Sequence, residues 1–198
     1  MLETRTRWQT SAAMNFMLRP APEYARSAAA ADDGSWPRAL RVPALVAVML
    51  GLLNATAAAG HVSATLVASE IVAWSFVPVL QLLTGAGLIA SAGARRVTFP
   101  RAMELLFAAH LPWSLWLAAT TVFVTIRPDP SIVIGSGVVP MAATAVMLMA
   151  FGREVLGLSR REARVRVCVH QAATIVLIVG YIELATRLSV RIIGAFGA

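Results

Sequence analysis

The sequence predicts an all-α fold, a polytopic transmembrane helical bundle of about five spans. Three observations carry that reading. The chain has 198 residues of which 58% are hydrophobic and only 14% charged, where a soluble domain carries about a quarter of its residues as charges. Its mean hydropathy is +0.72. Its apolar residues fall in runs of roughly 18 to 25, each long enough to cross about 30 Å of hydrocarbon.

The formal charge of +7 does not point to nucleic acid. All seventeen basic residues are arginines, and they sit in short connectors between apolar runs rather than in an aromatic-interleaved strip. This is the distribution expected of positive-inside topology. The absence of lysine and the abundance of alanine suggest a GC-rich, bacterial source, so the expected location is a bacterial inner membrane. A single cysteine, Cys168, rules out an internal disulfide and a cysteine-based zinc cage. Residues 1–41 carry Arg5, Arg7, Arg19 and Arg26 without an early apolar core and cleavage site, so they are expected to stay on the mature protein, on the cytoplasmic side.

Two regions are expected, a cytoplasmic N-terminal segment over 1–41 and a five-helix membrane domain over 42–198. In the first, Trp8, Met14, Phe16, Met17 and Leu18 form an apolar cluster flanked by arginines. It reads either as an irregular tail or as a segment lying on the anionic inner leaflet. Pro20 and Pro22 are expected to break it, and Asp32-Asp33-Gly34-Ser35 to turn the chain. The first span covers about 42–59. Ala47, Gly51, Asn54 and Ala58 make a small-residue face on it, with Asn54 able to hydrogen-bond across a helix contact.

The connector over 60–70 holds His61 and Glu70 but no arginine, which puts it outside. The second span covers about 71–93 and carries Thr84, Gly87 and Ser91 on one narrow face. Whether 62–93 is one bent helix or a short interfacial helix plus a span stays open. The third span covers about 101–126, with His110, Ser114 and Thr121 near one face and Pro112 expected to kink it. Arg127-Pro128-Asp129-Pro130 makes a stiff outer turn, and the fourth span covers about 132–151. Ser159-Arg160-Arg161-Glu162 fits a capping box, and the fifth span covers about 165–182. With the N-terminus inside, inner segments hold fourteen arginines and outer ones three, which predicts an N-in, C-out chain.

Few groups suggest chemistry. An ionisable residue inside a membrane is costly and is by default a functional candidate, which singles out His110, Ser114 and Thr121 as a candidate polar pocket. A proton relay at His110 needs a partner, and Glu104, six residues earlier, lies on another helical face. Glu104 pairs more naturally with Arg101, and Glu183 with Arg187. Gly51, Asn54, Thr84, Gly87 and Ser91 are expected to serve helix packing, and Arg95, Arg96, Arg153, Arg160 and Arg161 to meet lipid headgroups. Cys168 and His170, two apart, face different ways and do not make a metal site. No metal or cofactor is expected, and no HExxH, GxSxG or phosphate-loop pattern occurs. Headgroup chemistry at Glu70, Glu183 or His61 has no spacing to support it.

Four places resemble the Yip family of membrane proteins in a bacterial form. Leu18-Arg19-Pro20-Ala21-Pro22-Glu23-Tyr24 resembles its proline-plus-aromatic segment ahead of the first span, and the five spans match in number. Thr98-Phe99-Pro100-Arg101-Ala102, leading to His110-Leu111-Pro112, resembles the start of its third span. Gly157-Leu158-Ser159-Arg160-Arg161-Glu162-Ala163 resembles its last connector. The family's eukaryotic aspartate-and-tyrosine segments are missing, so GTPase binding does not carry over. The resemblance implies a compact five-helix bundle that organises membranes or serves as an accessory subunit, without catalytic residues. The functional expectation is therefore a non-enzymatic subunit of a larger membrane assembly, in contact with the lipid bilayer and with a membrane-protein partner or further copies of itself. The alternative is a small-molecule or lipid transport protein using the polar face of the third span.

Overall fold

The structure, a computed structural model, describes residues 15–30, 33–58, 62–93, 96–126, 131 and 135–196. His61, Arg95 and the Arg127–Pro130 turn lie outside the described residues. All regular structure among the described residues is α-helical. The helices are α1 (Pro20–Ala29), α2 (Trp36–Ala58), α3 (Ala64–Trp74), α4 (Phe76–Ser91), α5 (Phe99–Ala109), α6 (Leu111–Ile126), α7 (Val138–Glu154) and α8 (Arg160–Phe196).

The prolines of the N-terminal segment end one helical stretch, as expected, and also start the next: a helical turn over 15–18 stops at a bend at Arg19, directly before Pro20. Pro20 and Pro22 fall in the first turn of α1, where the missing N–H would have had no helical partner. The helix docks on α7 instead of lying apart from the bundle. Its anchor is Tyr24, fully buried, whose hydroxyl donates to the Leu105 carbonyl at 3.3 Å. Phe16 and Phe151 meet the Tyr24 ring edge-on at 5.1 and 5.9 Å. Burial pushes the Tyr24 phenol up from its ordinary value, because the phenolate has no water to solvate it. After α1 the chain turns at Gly34, which sits at φ +67°, a region that favours glycine. Thr98 then ties this turn to the start of α5 through its hydroxyl, which donates to the Asp33 carbonyl.

α2 begins at Trp36, six residues ahead of the expected start at 42. It runs back against α3 as a tight hairpin and also packs on α5 and α6. Gly51 is the close-approach point, since a Cβ there would lie 2.5 Å from the Ile71 backbone. Asn54 does not bridge helices; its amide donates to the Leu50 carbonyl of its own helix at 2.9 Å. Residues 64–91 form two helices joined at Ser75, together one 28-residue stretch apolar enough to cross a membrane. Glu70 lies inside α3 rather than at the beginning of a span.

The expected kink in the third span is present: α5 and α6 meet at 47°. Pro112 lacks the N–H that the Ala108 carbonyl would have accepted, and the helix breaks at His110, which adopts φ −89°, ψ 0°. α7 is 17 residues long, short of the ~20 that span hydrocarbon. Among the described residues, three helical stretches, or four counting the bent α5–α6 pair, are long and apolar enough to cross a membrane. The last helix opens with the expected capping box: the Ser159 amide donates to Glu162 at 3.0 Å, and the Glu162 amide to the Ser159 hydroxyl at 3.3 Å.

The main core gathers where α1, α5 and α7 meet, around Tyr24, Leu106, Met147, Leu148 and Phe151. The rest of the bundle is thinly packed. Only 17% of the apolar window of 64–91 and 11% of that of α8 are buried within the protein, so most of their surface is left for lipid or a neighbour.

Two glycines expected to act alike should behave differently. Gly51→Ala is expected to destabilise by roughly 1–3 kcal/mol through overpacking. Gly87→Ala should be neutral or slightly stabilising, because a Cβ at Gly87 meets nothing within 4 Å and alanine is the better helix former. Thermal unfolding of both variants in one detergent checks this, and equal losses would refute it. Tyr24→Ala should cost roughly 3 kcal/mol, as for other buried aromatics, and leave α1 open to protease; protection equal to that of the parent protein would show that Tyr24 is not the anchor.

Candidate functional site

The break at His110 does more than bend the span. In an unbroken helix the Leu106 carbonyl would accept the His110 backbone N–H, but that N–H turns to Phe107 at 3.1 Å. The freed Leu106 carbonyl is met instead by the His110 ring, with Nδ1 at 3.0 Å. A carbonyl can only accept, so Nδ1 carries the proton and the neutral ring presents a bare lone pair at Nε2.

That lone pair faces His170 of α8, with the two Nε2 atoms 3.2 Å apart and the rings near perpendicular, at 76°. One nitrogen must donate, and it can only be His170 Nε2. His170 Nδ1 is then a bare acceptor, and this buried atom has no hydrogen-bond partner. The Thr84 main-chain carbonyl also faces the imidazole but makes no hydrogen bond to Nδ1. One turn on, the Thr174 hydroxyl donates to the His170 carbonyl at 2.8 Å and lies 3.0 Å from the Thr84 hydroxyl. These contacts knit α8 to α4 beside the histidines.

The pair borders a cavity of about 40 Å³, also lined by Gln81, Trp113, Met141 and Thr144. Gln81 is 1% exposed, yet neither its amide nitrogen nor its oxygen has a partner, and the Thr144 hydroxyl is also unpaired. Four unpartnered polar atoms thus belong to side chains of α4, α7 and α8 that line one small space. An unsatisfied buried polar atom costs about 1–3 kcal/mol, so this is an expensive arrangement unless something fills it. At ~10–15 Å³ per water-sized group, the cavity takes about three or four heavy atoms. It offers donors and acceptors but no carboxylate and no arginine, so it suits an uncharged guest.

Of the residues expected to form a polar pocket, only His110 reaches this cavity. Ser114 is buried one turn further along α6 but does not line it. Thr121 turns back to the Leu117 carbonyl of its own helix at 2.8 Å. The partner of His110 is an imidazole sixty residues on, not a carboxylate. Gln81, Thr144 and His170 escaped the sequence reading. Gln81 carries the clearest signal in hindsight, as an amide in the middle of an otherwise apolar span.

Thr84, Gly87 and Ser91 do share a face: Thr84 and Ser91 meet Thr174 and Arg166 of α8, while Gly87 between them lines an open groove. Among the expected headgroup residues, Arg96 is exposed but engaged with the chain: its backbone N–H donates to the Val155 carbonyl at 3.2 Å and its guanidinium to the Glu154 carbonyl at 3.4 Å. It thereby caps the C-terminal end of α7. Arg153, Arg160 and Arg161 are exposed. The expected pairs form, Arg101–Glu104 at 2.8 Å and Arg187–Glu183 at 2.7 Å. Among the described residues, no group of three or more His, Cys, Asp or Glu converges as metal ligands would.

Fold and site together define an all-α bundle, with helices apolar enough to cross a membrane, built around a buried polar centre. Comparison of the chain with family models, with curated proteins and with solved structures finds no match.

The hydrogen-bond logic makes a spectroscopic prediction. In ¹⁵N-histidine-labelled protein at neutral pH, His110 should be protonated on Nδ1 and His170 on Nε2. Finding His110 protonated on Nε2 would break the inferred chain from Leu106 to His170.

Proposed function

We propose that this protein binds and passes a small, uncharged, hydrogen-bonding solute through the membrane interior, using the cavity at His110 and His170. The single observation behind this reading is the set of unpartnered polar atoms on Gln81, Thr144 and His170, whose side chains line a space of about 40 Å³. Intramembrane polar groups are costly and tend to mark substrate or ion paths. The guest must donate a hydrogen bond, because His170 Nδ1 only accepts. The Gln81 carboxamide can satisfy both a donor and an acceptor on the same guest.

The finer membrane assignment belongs to the same proposal. The bundle crosses a bacterial inner membrane five times, N-in and C-out, with α7 and the residues before it as the fourth span. The arginine bias supports this orientation, and the likeness to the Yip family supports the span number. A C-terminal reporter active only outside the cytoplasm checks it; activity inside would reverse the topology.

A second reading, a non-enzymatic subunit of a larger membrane assembly, is favoured by the bareness of α8 and of 64–91. The two readings make different predictions. In proteoliposomes, formamide or urea should equilibrate faster with the parent protein than with Gln81→Leu or His170→Ala, measured by stopped-flow light scattering. Gln81→Leu should keep or raise the unfolding temperature, since it removes two orphaned polar atoms. Equal permeability for parent and variants, together with a stoichiometric protein partner in native mass spectra, would favour the assembly reading.

A further inference from the structure

On the other side of His170 lies a second space, a groove of about 310 Å³ between α4 and α8. Thr84 and His170 close its deep end, Gly87 and Ala173 form its walls, and Ser91 and Arg166 stand at its mouth. Gly87 keeps it open, because nothing lies within 4 Å of where a Cβ would be. The mouth continues into a shallow cleft of about 330 Å³ lined by Arg161, Glu162, Val165 and Arg166.

The chemistry changes along this path. The deep part is apolar apart from the Thr84 hydroxyl and the flank of His170, and both belong to helices of membrane-crossing length. The mouth is cationic. Arg166 is half-buried and donates to the Ser91 hydroxyl at 2.8 Å, which fixes its guanidinium over the groove. Arg161 borders the adjoining cleft with an exposed side chain. Glu162 is the one acid lining the adjoining cleft; its Oε2 accepts the Ser159 backbone N–H in the capping box, and its charge also attracts Arg166 one turn on. An arginine has five donors, and the single bond to Ser91 leaves the Arg166 fork with capacity for a phosphate.

We propose that this groove holds one anionic phospholipid of the leaflet at the arginine-rich end of the bundle. Its phosphate sits between Arg161 and Arg166, and its glycerol and upper acyl chain lie along Gly87 and Ala173. A cationic mouth leading to an apolar, membrane-embedded trough matches the charge and polarity gradient of a lipid. It matches neither a soluble anion, which has no use for the trough, nor a helix of a second copy, which would bring no phosphate to the mouth. The site is separate from the cavity at Gln81 and stands whether or not that cavity carries a solute.

The test uses the full chain in nanodiscs of mixed phosphatidylglycerol and phosphatidylethanolamine, followed by delipidation and native mass spectrometry. The parent protein is expected to retain one phosphatidylglycerol in preference to phosphatidylethanolamine. Arg161→Gln/Arg166→Gln should lower its retention at least tenfold, while glutamine at 166 can still donate to Ser91. Gly87→Leu keeps both arginines but fills the trough and should lower retention similarly. It has room to fold, and circular dichroism confirms that each variant is helical. Retention unchanged in both variants overturns the proposal. So does equal retention of the two lipids by the parent protein, or a parent dimer without lipid that Gly87→Leu dissociates.

Discussion

The hydrogen bond from the His110 ring to the Leu106 carbonyl is the constraint on which the rest of the polar centre depends. Proline at 112 makes the helix break, the break releases the carbonyl, and a buried released carbonyl has to find a donor. The imidazole four residues on supplies it. That one contact fixes which nitrogen of His110 is protonated, which fixes how it meets His170 and leaves His170 Nδ1 an unpartnered acceptor. The same break redirects the chain by 47°. It leaves α5 in the dense core with α1 and α7, and carries α6 away along α2.

Packing is distributed unevenly, and the unevenness has a physical logic. Tyr24, Leu106 and Phe151 close one end of the bundle almost completely. The outer faces of 64–91 and α8 stay apolar and uncovered, which hydrocarbon tolerates because lipid tails are as apolar as leucine. Between these regimes sit Gln81, Thr144 and His170, buried in the bundle with polar atoms left unpaired inside it. Their combined cost is comparable with a sizeable share of the 5–15 kcal/mol that holds an ordinary domain together. A centre of that kind persists when a guest or ordered water completes its hydrogen bonds.

Much of the architecture was legible in the residues. Composition and run length announced helices fit for a membrane, Pro112 announced the bend, and Ser159 with Glu162 announced the start of α8. These are local signals, in which a residue and its near neighbours suffice. The failures were of two kinds. Pro20 and Pro22 do mark the end of the turn over 15–18, but they also open α1, which went unread because proline costs nothing in a first turn. Gly51 and Gly87 looked equivalent because a glycine states only that a backbone can come close. Ile71 comes close to one of them and nothing to the other. The site was half legible: His110 stood out as an ionisable group in an apolar run. Its partner could not be found from spacing, because His170 arrives through tertiary packing from a helix sixty residues away, and the neighbouring Cys168 drew attention to the wrong pairing.

The docking of α1 has a consequence for how the chain is made. Tyr24 is synthesised well before its seat, which is built by Leu105 and Phe151. At about 5–20 residues per second, the segment emerges roughly ten seconds before its binding surface exists. During that interval an amphipathic helix with an aromatic anchor is held only at its own tether to α2, free to meet the membrane surface or the translation machinery. Closing this end of the bundle is therefore a late event, and a helix made early is put away late.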